Sequence, residues 1–260
     1  MRVCAAQYDI VWEDKSANMR ICENFFCKAK KYGAELIVFP EMSLTGFTMD
    51  KSLSESTSGS TVEFFSRCAV EYKINCVFGF AEREDDKLYN RLVFCSKDGK
   101  AEIRYSKIHP FSYGGECDVY TGGKKVSMFS FGDINFGMTI CYDLRFPELY
   151  QFLSVSCGCV IVSANWPKSR REHWLTLLKA RAIENQCYVI GCNRIGVGGG
   201  IEYSGDSCII APDGTVIGIA ETNTESLVTA DINSEVVAKL RRDFPVKLDR
   251  RNNIYRNFYE

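Results

Sequence analysis

Three residues that share a local context carry the chemistry in this sequence. Glu41, Lys107 and Cys141 each stand where a short apolar, β-prone run gives way to a polar loop. If those strands lie side by side, their ends meet, and a carboxylate, an ammonium and a thiol share one pocket. Open α/β sheets hold their ligands at the carboxyl ends of strands. Such a set suits acyl transfer. The thiol attacks a carbonyl carbon, the carboxylate takes and returns protons, and the ammonium stabilises negative charge on the oxygen. A neighbouring cation also favours the thiolate. Each residue alone has a plainer reading: a solvated glutamate, a solvated lysine, and one more small buried hydrophobe among thirteen cysteines.

The elements that must position these groups follow from the hydrophobic pattern. Residues 2–8 read as a strand, residues 16–31 as a helix capped by Ser16 and closed by Gly33, and residues 35–39 as an apolar strand ending at Pro40-Glu41. A Ser/Thr/Gly-rich loop over 43–60 leads to a helix over 61–73 and a strand over 75–81. Residues 88–96 and 101–107 form a hairpin that delivers Lys107 to its end, and 126–131 with 134–142 form a second that leads to Cys141. Pro147 opens a helix to 155. Strands over 157–163 and 187–194 flank a strong helix over 170–186, and 196–200 reads as a flexible loop. A hairpin, a last strand at 227–232 and a helix over 234–244 complete the pattern, and residues 245–260 read as a C-terminal arm.

No linker or repeat divides the chain, so residues 1–260 read as one domain. Interleaved helices and tight hairpins predict an α+β fold, with helices outside mixed sheets. Hydrophobic residues make up 46% and charged residues 25%, which is ordinary globular composition. A net charge of -1 gives no reason to expect nucleic acid or a membrane as partner. The N-terminus lacks a signal-peptide pattern and no apolar run spans a bilayer, which predicts a cytoplasmic protein with reduced thiols. Two histidines and no zinc-finger cysteine spacing argue against a metal site.

The segments Phe39-Pro-Glu-Met-Ser-Leu-Thr-Gly-Phe47, Tyr105-Ser-Lys-Ile-His109 and Gly137-Met-Thr-Ile-Cys-Tyr-Asp-Leu-Arg-Phe-Pro-Glu148 closely resemble the three signature segments of the nitrilase superfamily of carbon–nitrogen hydrolases. Asn165-Trp-Pro, Lys179-Ala-Arg-Ala-Ile-Glu-Asn-Gln186 and Asp213-Gly214 fit in the right order, so the resemblance spans nearly the whole chain. It implies a four-layer α-β-β-α sandwich and a homodimer or higher homo-oligomer, with contacts through the helix after Cys141 and the one over 170–186. It also implies roles: Glu41 as general base and acid, Lys107 as oxyanion-stabilising cation, Cys141 as nucleophile, the Tyr142 backbone N–H as oxyanion donor, and Glu116 as a second glutamate orienting the pocket. No metal or organic cofactor is implied.

Within that family the sequence from Cys141 to Glu148, followed by Asn165-Trp-Pro, is most similar to the ω-amidases, which hydrolyse the terminal amide of 2-oxoglutaramate. Arg145 lies one helical turn beyond Cys141, where a guanidinium can clamp a far carboxylate with two hydrogen bonds. The alternative is that it pairs with Asp143, Glu148 or a neighbouring subunit. Tyr113, Trp166 and Phe47 are candidate pocket walls. The loop after Lys107 departs from the ω-amidase pattern, and the second substrate class is an N-carbamoyl amino acid.

Overall fold

The computed structural model describes residues 1–258. In chain order its elements are β1 Arg2–Gln7, α1 Lys15–Lys31, β2 Leu36–Val38, α2 Ser60–Tyr72, β3 Asn75–Glu84, β4 Lys87–Cys95, β5 Ile103–Ser106, β6 Met128–Phe131, β7 Ile134–Ile140, α3 Pro147–Ser156, β8 Cys159–Ala164, α4 Arg171–Asn185, β9 Tyr188–Asn193, β10 Ile195–Gly198, β11 Ile201–Ser204, β12 Cys208–Ile210, β13 Val216–Ile219, β14 Ser226–Asp231, α5 Ser234–Asp243 and α6 Asn252–Arg256.

Two six-stranded mixed sheets are built to one plan. The first runs β14-β1-β2-β3-β4-β5 and the second β13-β12-β9-β8-β7-β6. In each, three parallel strands sit at the centre (β1, β2, β3 and β7, β8, β9), and the outer strands pair antiparallel. Side chains of a strand alternate between faces, and the central strands are apolar on both. Val3, Ala5, Leu36, Val38 and Val77 face the other sheet, where they meet Phe136, Met138, Ile140, Ile161 and Ile190. Their neighbours Cys4, Ala6, Ile37, Cys76 and Phe78 turn outward to Phe25, Phe26, Phe64 and Phe65 of α1 and α2. Val160, Val162 and Val189 likewise turn outward to Leu149, Leu153, Trp174 and Leu178 of α3 and α4. The result is the expected four-layer α-β-β-α sandwich of the α+β class.

Three local expectations change. The cap of α1 is Asp14, whose Oδ1 accepts from Ala17 N at 2.9 Å, rather than Ser16, which lies inside the helix. Residues 196–200 do not form a free loop, because β10 and β11 pair as a hairpin with Gly198 opposite Ile201. Strand β7 stops at Ile140, so Tyr142 belongs to the turn that follows. Beyond α5 the chain lies against its own helices: Lys247 Nζ donates to Ser154 O at 2.7 Å and Arg250 to Glu184 O at 3.3 Å. The last two positions of the 245–260 segment lie outside the described residues.

Candidate active site

The strand ends converge as their polarity predicts. Glu41 follows β2, Lys107 follows β5, Cys141 follows β7 and Asn165 follows β8. The Glu41 loop is fastened to β3: Ser43 N donates to Gly79 O at 2.8 Å, and Gly79 N donates to Ser43 Oγ at 3.0 Å. A glycine is required there, since a Cβ on Gly79 would stand 2.6 Å from Met42 N.

Lys107 lies between two fully buried carboxylates. Its Nζ is 2.9 Å from Glu41 Oε1 and 2.8 Å from Glu116 Oε2. Asn90 reaches both as well, its Nδ2 donating to Glu41 Oε1 at 2.7 Å and to Glu116 Oε1 at 2.8 Å. The Phe111 N–H donates to Glu116 Oε2 at 2.6 Å, and the Asn165 N–H to Glu41 Oε2 at 2.9 Å. Buried charge is tolerated only when paired and hydrogen-bonded, and every oxygen of the two carboxylates has a donor. Burial pushes the Lys107 ammonium toward its neutral form, but Glu116 and Glu41 outweigh that and hold its pKa above the ordinary value.

Cys141 begins the tight 3-10 turn Cys141–Arg145 with φ +45, a left-handed conformation that a non-glycine residue adopts only when its surroundings impose it. Its Sγ is 3.8 Å from Asn165 O. Burial, then the charge of Glu41, pushes its pKa well up, while Lys107 pulls it down. Glu41 and Lys107 thus act on the thiol with opposite sign. Tyr142 is the second residue of that turn and lines the cavity into which these groups open.

These groups open into a cavity of about 420 Å³ lined by Glu41, Lys107, Cys141, Tyr142, Arg145 and Trp166 among others. Phe47 is a wall, its ring 5.2 Å from Lys107 Nζ. Tyr113 is not: it is 88% exposed, and its neighbours Phe111 and Gly114 line the cavity instead. Glu116 lies behind Lys107 rather than on the wall. Among the described residues Arg145 has no carboxylate within 4.0 Å. Its guanidinium lies 4.7 Å from the Trp166 ring and 3.3 Å from His173 Nδ1. Burial and the nearby Arg170 depress its pKa.

Sequence reasoning missed Asn90 and Arg170, and gave Asn165 no role beyond its place in the Asn165-Trp-Pro segment. An asparagine inside the strand that precedes the Lys107 hairpin turn was a signal for the first, since strands disfavour it. Arg170 stands just before α4 and lines the cavity with its guanidinium over the Phe111 ring.

A search of protein families matches the carbon-nitrogen hydrolase model over residues 2–242. The chain is 32% identical over 258 residues to the 2-oxoglutaramate amidase of Bacillus subtilis (strain 168), covering 97% of this chain and 98% of that protein. It is 31% identical over 250 residues to omega-amidase YafV of Escherichia coli (strain K12), covering 96% of each. Among solved structures, the CN-hydrolase superfamily protein XC1258 of Xanthomonas campestris, which carries an arsenic adduct in its active site, superimposes with a TM-score of 0.87 at 28% identity, covering 96% of this chain and 97% of that one. On these matches, and on the fold that carries the cluster, the chain belongs to the carbon-nitrogen hydrolase family.

Proposed function

We propose that this protein is an amidase that hydrolyses the terminal amide of a small carboxylate-bearing amide, such as 2-oxoglutaramate, through a thioester on Cys141. The observation that carries the reading is the buried Glu41–Lys107–Glu116 cluster opening beside Cys141 into a cavity of ligand size. Glu41 takes the thiol proton as sulfur attacks the amide carbon, and Lys107 with the Tyr142 N–H stabilises the oxyanion. The C–N bond breaks as Glu41 hands the proton to nitrogen, and ammonia leaves. Water, deprotonated by Glu41, then attacks the thioester, the C–S bond breaks, and the carboxylic acid and the Cys141 thiol are released. No metal or organic cofactor enters these steps.

Arg145, with Arg170 nearby, takes the carboxylate at the far end of the substrate. The absence of an acidic partner within 4.0 Å of either, among the described residues, favours this over pairing of Arg145 with Asp143 or Glu148. The amidase names of the relatives favour the same substrate class over N-carbamoyl amino acids. We also propose assembly into a homo-oligomer through α3 and α4, which leave Phe152 60%, Val155 74% and Ile183 48% exposed. The experiment is ammonia release from 2-oxoglutaramate by wild type and Cys141→Ala. Release by the wild type alone is expected. Equal release by both overturns the nucleophile.

A further inference from the structure

The carboxylate of Asp143 takes no part in the steps above, yet it is fully buried and its bonds go to the two segments that carry Lys107 and Cys141. Its Oδ2 accepts from the backbone N–H of Ile140, the residue before Cys141, at 3.0 Å, and from the Tyr105 hydroxyl at 2.8 Å. Its Oδ1 accepts from the backbone N–H of His109 at 3.1 Å and from His109 Nδ1 at 2.8 Å. A carboxylate only accepts, so Nδ1 carries the proton. Tyr105 stands two residues before Lys107 and His109 two residues after it. The Tyr105 hydroxyl accepts in turn from Ile108 N at 3.2 Å, and the His109 ring lies flat against Phe146 with centroids 3.7 Å apart. One carboxylate thus grips both flanks of Lys107 and the strand end that feeds Cys141.

We infer that Asp143, working with Tyr105 and His109, is the positioning residue that sets Lys107 against Cys141. The inference rests on the acyl-transfer reading above. Glu41 and Glu116 fix the ammonium end of Lys107, whereas Asp143 fixes the backbone from which that side chain springs. It also anchors the entry to a strained residue, since Cys141 keeps φ +45 only if its neighbours hold it. Burying a carboxylate is costly, and four charge-assisted hydrogen bonds offset that cost only in this arrangement. Movement of either segment breaks at least one of them.

Asp143→Asn places an amide group against N–H donors and endangers folding, so the test alters the donors. His109→Ala and Tyr105→Phe each remove one bond to Asp143, and His109→Asn keeps an N–H at that place. Two quantities are read on folded protein: kcat and KM for ammonia release from 2-oxoglutaramate, and the rate at which iodoacetamide alkylates Cys141, resolved by peptide mass spectrometry. Displacements near 1 Å cost up to about a hundredfold in rate, so His109→Ala and Tyr105→Phe should lose about tenfold or more in kcat. KM should stay within about twofold, since no contact to the substrate is removed. Alkylation should slow, because a displaced Lys107 no longer favours the thiolate, and His109→Asn should recover most of both losses. Wild-type kcat and alkylation in His109→Ala and Tyr105→Phe overturn the inference, as does a loss that His109→Asn does not recover. If the wild type releases no ammonia from any amide, the function proposed above fails. Alkylation then decides the positioning role: slower in His109→Ala supports it, and an unchanged rate overturns it.

Discussion

Replacing Glu116 by glutamine separates the charge of the buried cluster from its geometry. The Glu116 carboxylate accepts from Lys107 at 2.8 Å, Asn90 at 2.8 Å and the Phe111 N–H at 2.6 Å. A glutamine supplies one acceptor oxygen and sets an NH2 against at least one of those donors. An unsatisfied buried donor costs about 1–3 kcal/mol, and half of a buried ion-pair network is lost as well, so a destabilisation of about 3 kcal/mol is expected. In a chain of this size that lowers Tm by roughly 6–12 °C. The effect on Cys141 has the opposite sign. Glu116 is one of the charges that push the thiol pKa up, and removing a like charge at an effective dielectric near 20 is worth about 1–2 kcal/mol. The thiolate fraction then rises about tenfold, and the fall in intrinsic nucleophilicity with pKa leaves alkylation about threefold faster. Turnover should drop by about tenfold or more, because Lys107, still kept beside Cys141 by Glu41 at 2.9 Å, is no longer fixed on its second side. The assay is peptide-resolved alkylation by iodoacetamide near pH 7, with the exposed Cys117 as internal reference, beside ammonia release. Slower alkylation together with slower turnover refutes the reasoning, because Glu116 would then support the thiolate rather than oppose it.

Arg145→Ala should raise KM for 2-oxoglutaramate about ten- to a hundredfold, the worth of charge-assisted hydrogen bonds to a carboxylate, and leave a neutral amide nearly unaffected. Equal losses on both substrates count against the clamp. Gly79→Ala drives a methyl group to 2.6 Å from Met42 N and 3.1 Å from Glu41 Cα, so a loss of about 1–3 kcal/mol in urea unfolding should accompany a fall in kcat. Wild-type values for both would show that the Glu41 loop has slack. Stability should also decline at alkaline pH. Burial pushes the thiols of Cys4, Cys68, Cys187 and Cys208 up from 9.0 to about 12. Below pH 9 both folded and unfolded chains hold these protons. Above it the unfolded chain releases them first, and each thiol removes about 1.4 kcal/mol per pH unit until the folded value is reached. Urea unfolding at about pH 8 and about pH 10 reads the effect, and equal midpoints contradict it.

The sequence exposes those parts of the site that are local. Glu41 and Cys141 each end a short apolar run and Lys107 ends a hairpin strand, and a strand end reads from neighbouring residues alone. What pairing brings together was not legible. Asn90 meets Glu41 across 49 positions, and only the antiparallel packing of β4 on β3 aligns it with that loop. Arg170 faces the cavity because the 3-10 turn that precedes α4 carries it there. The β10–β11 hairpin was hidden because its glycines, which permit the positive φ of its turn at Gly199 and Gly200, are also the composition of a flexible loop. Tyr113 failed as a wall for a related reason. In a loop of tight 3-10 turns no period fixes which side chain faces inward, and Phe111 took that place. The α1 cap fell to Asp14 because two capping residues stood two positions apart, and hydrophobic spacing alone did not choose between them.

The central claim is that the substrate carbon is bonded to Cys141 during turnover. Rapid acid quench of enzyme mixed with 2-oxoglutaramate, followed by peptide mass spectrometry, tests it most directly. The account predicts an adduct on the Cys141 peptide equal to the substrate less ammonia, formed within the first turnover and absent from Cys141→Ala. Ammonia release with no adduct at any quench time, or an adduct on another residue, contradicts it.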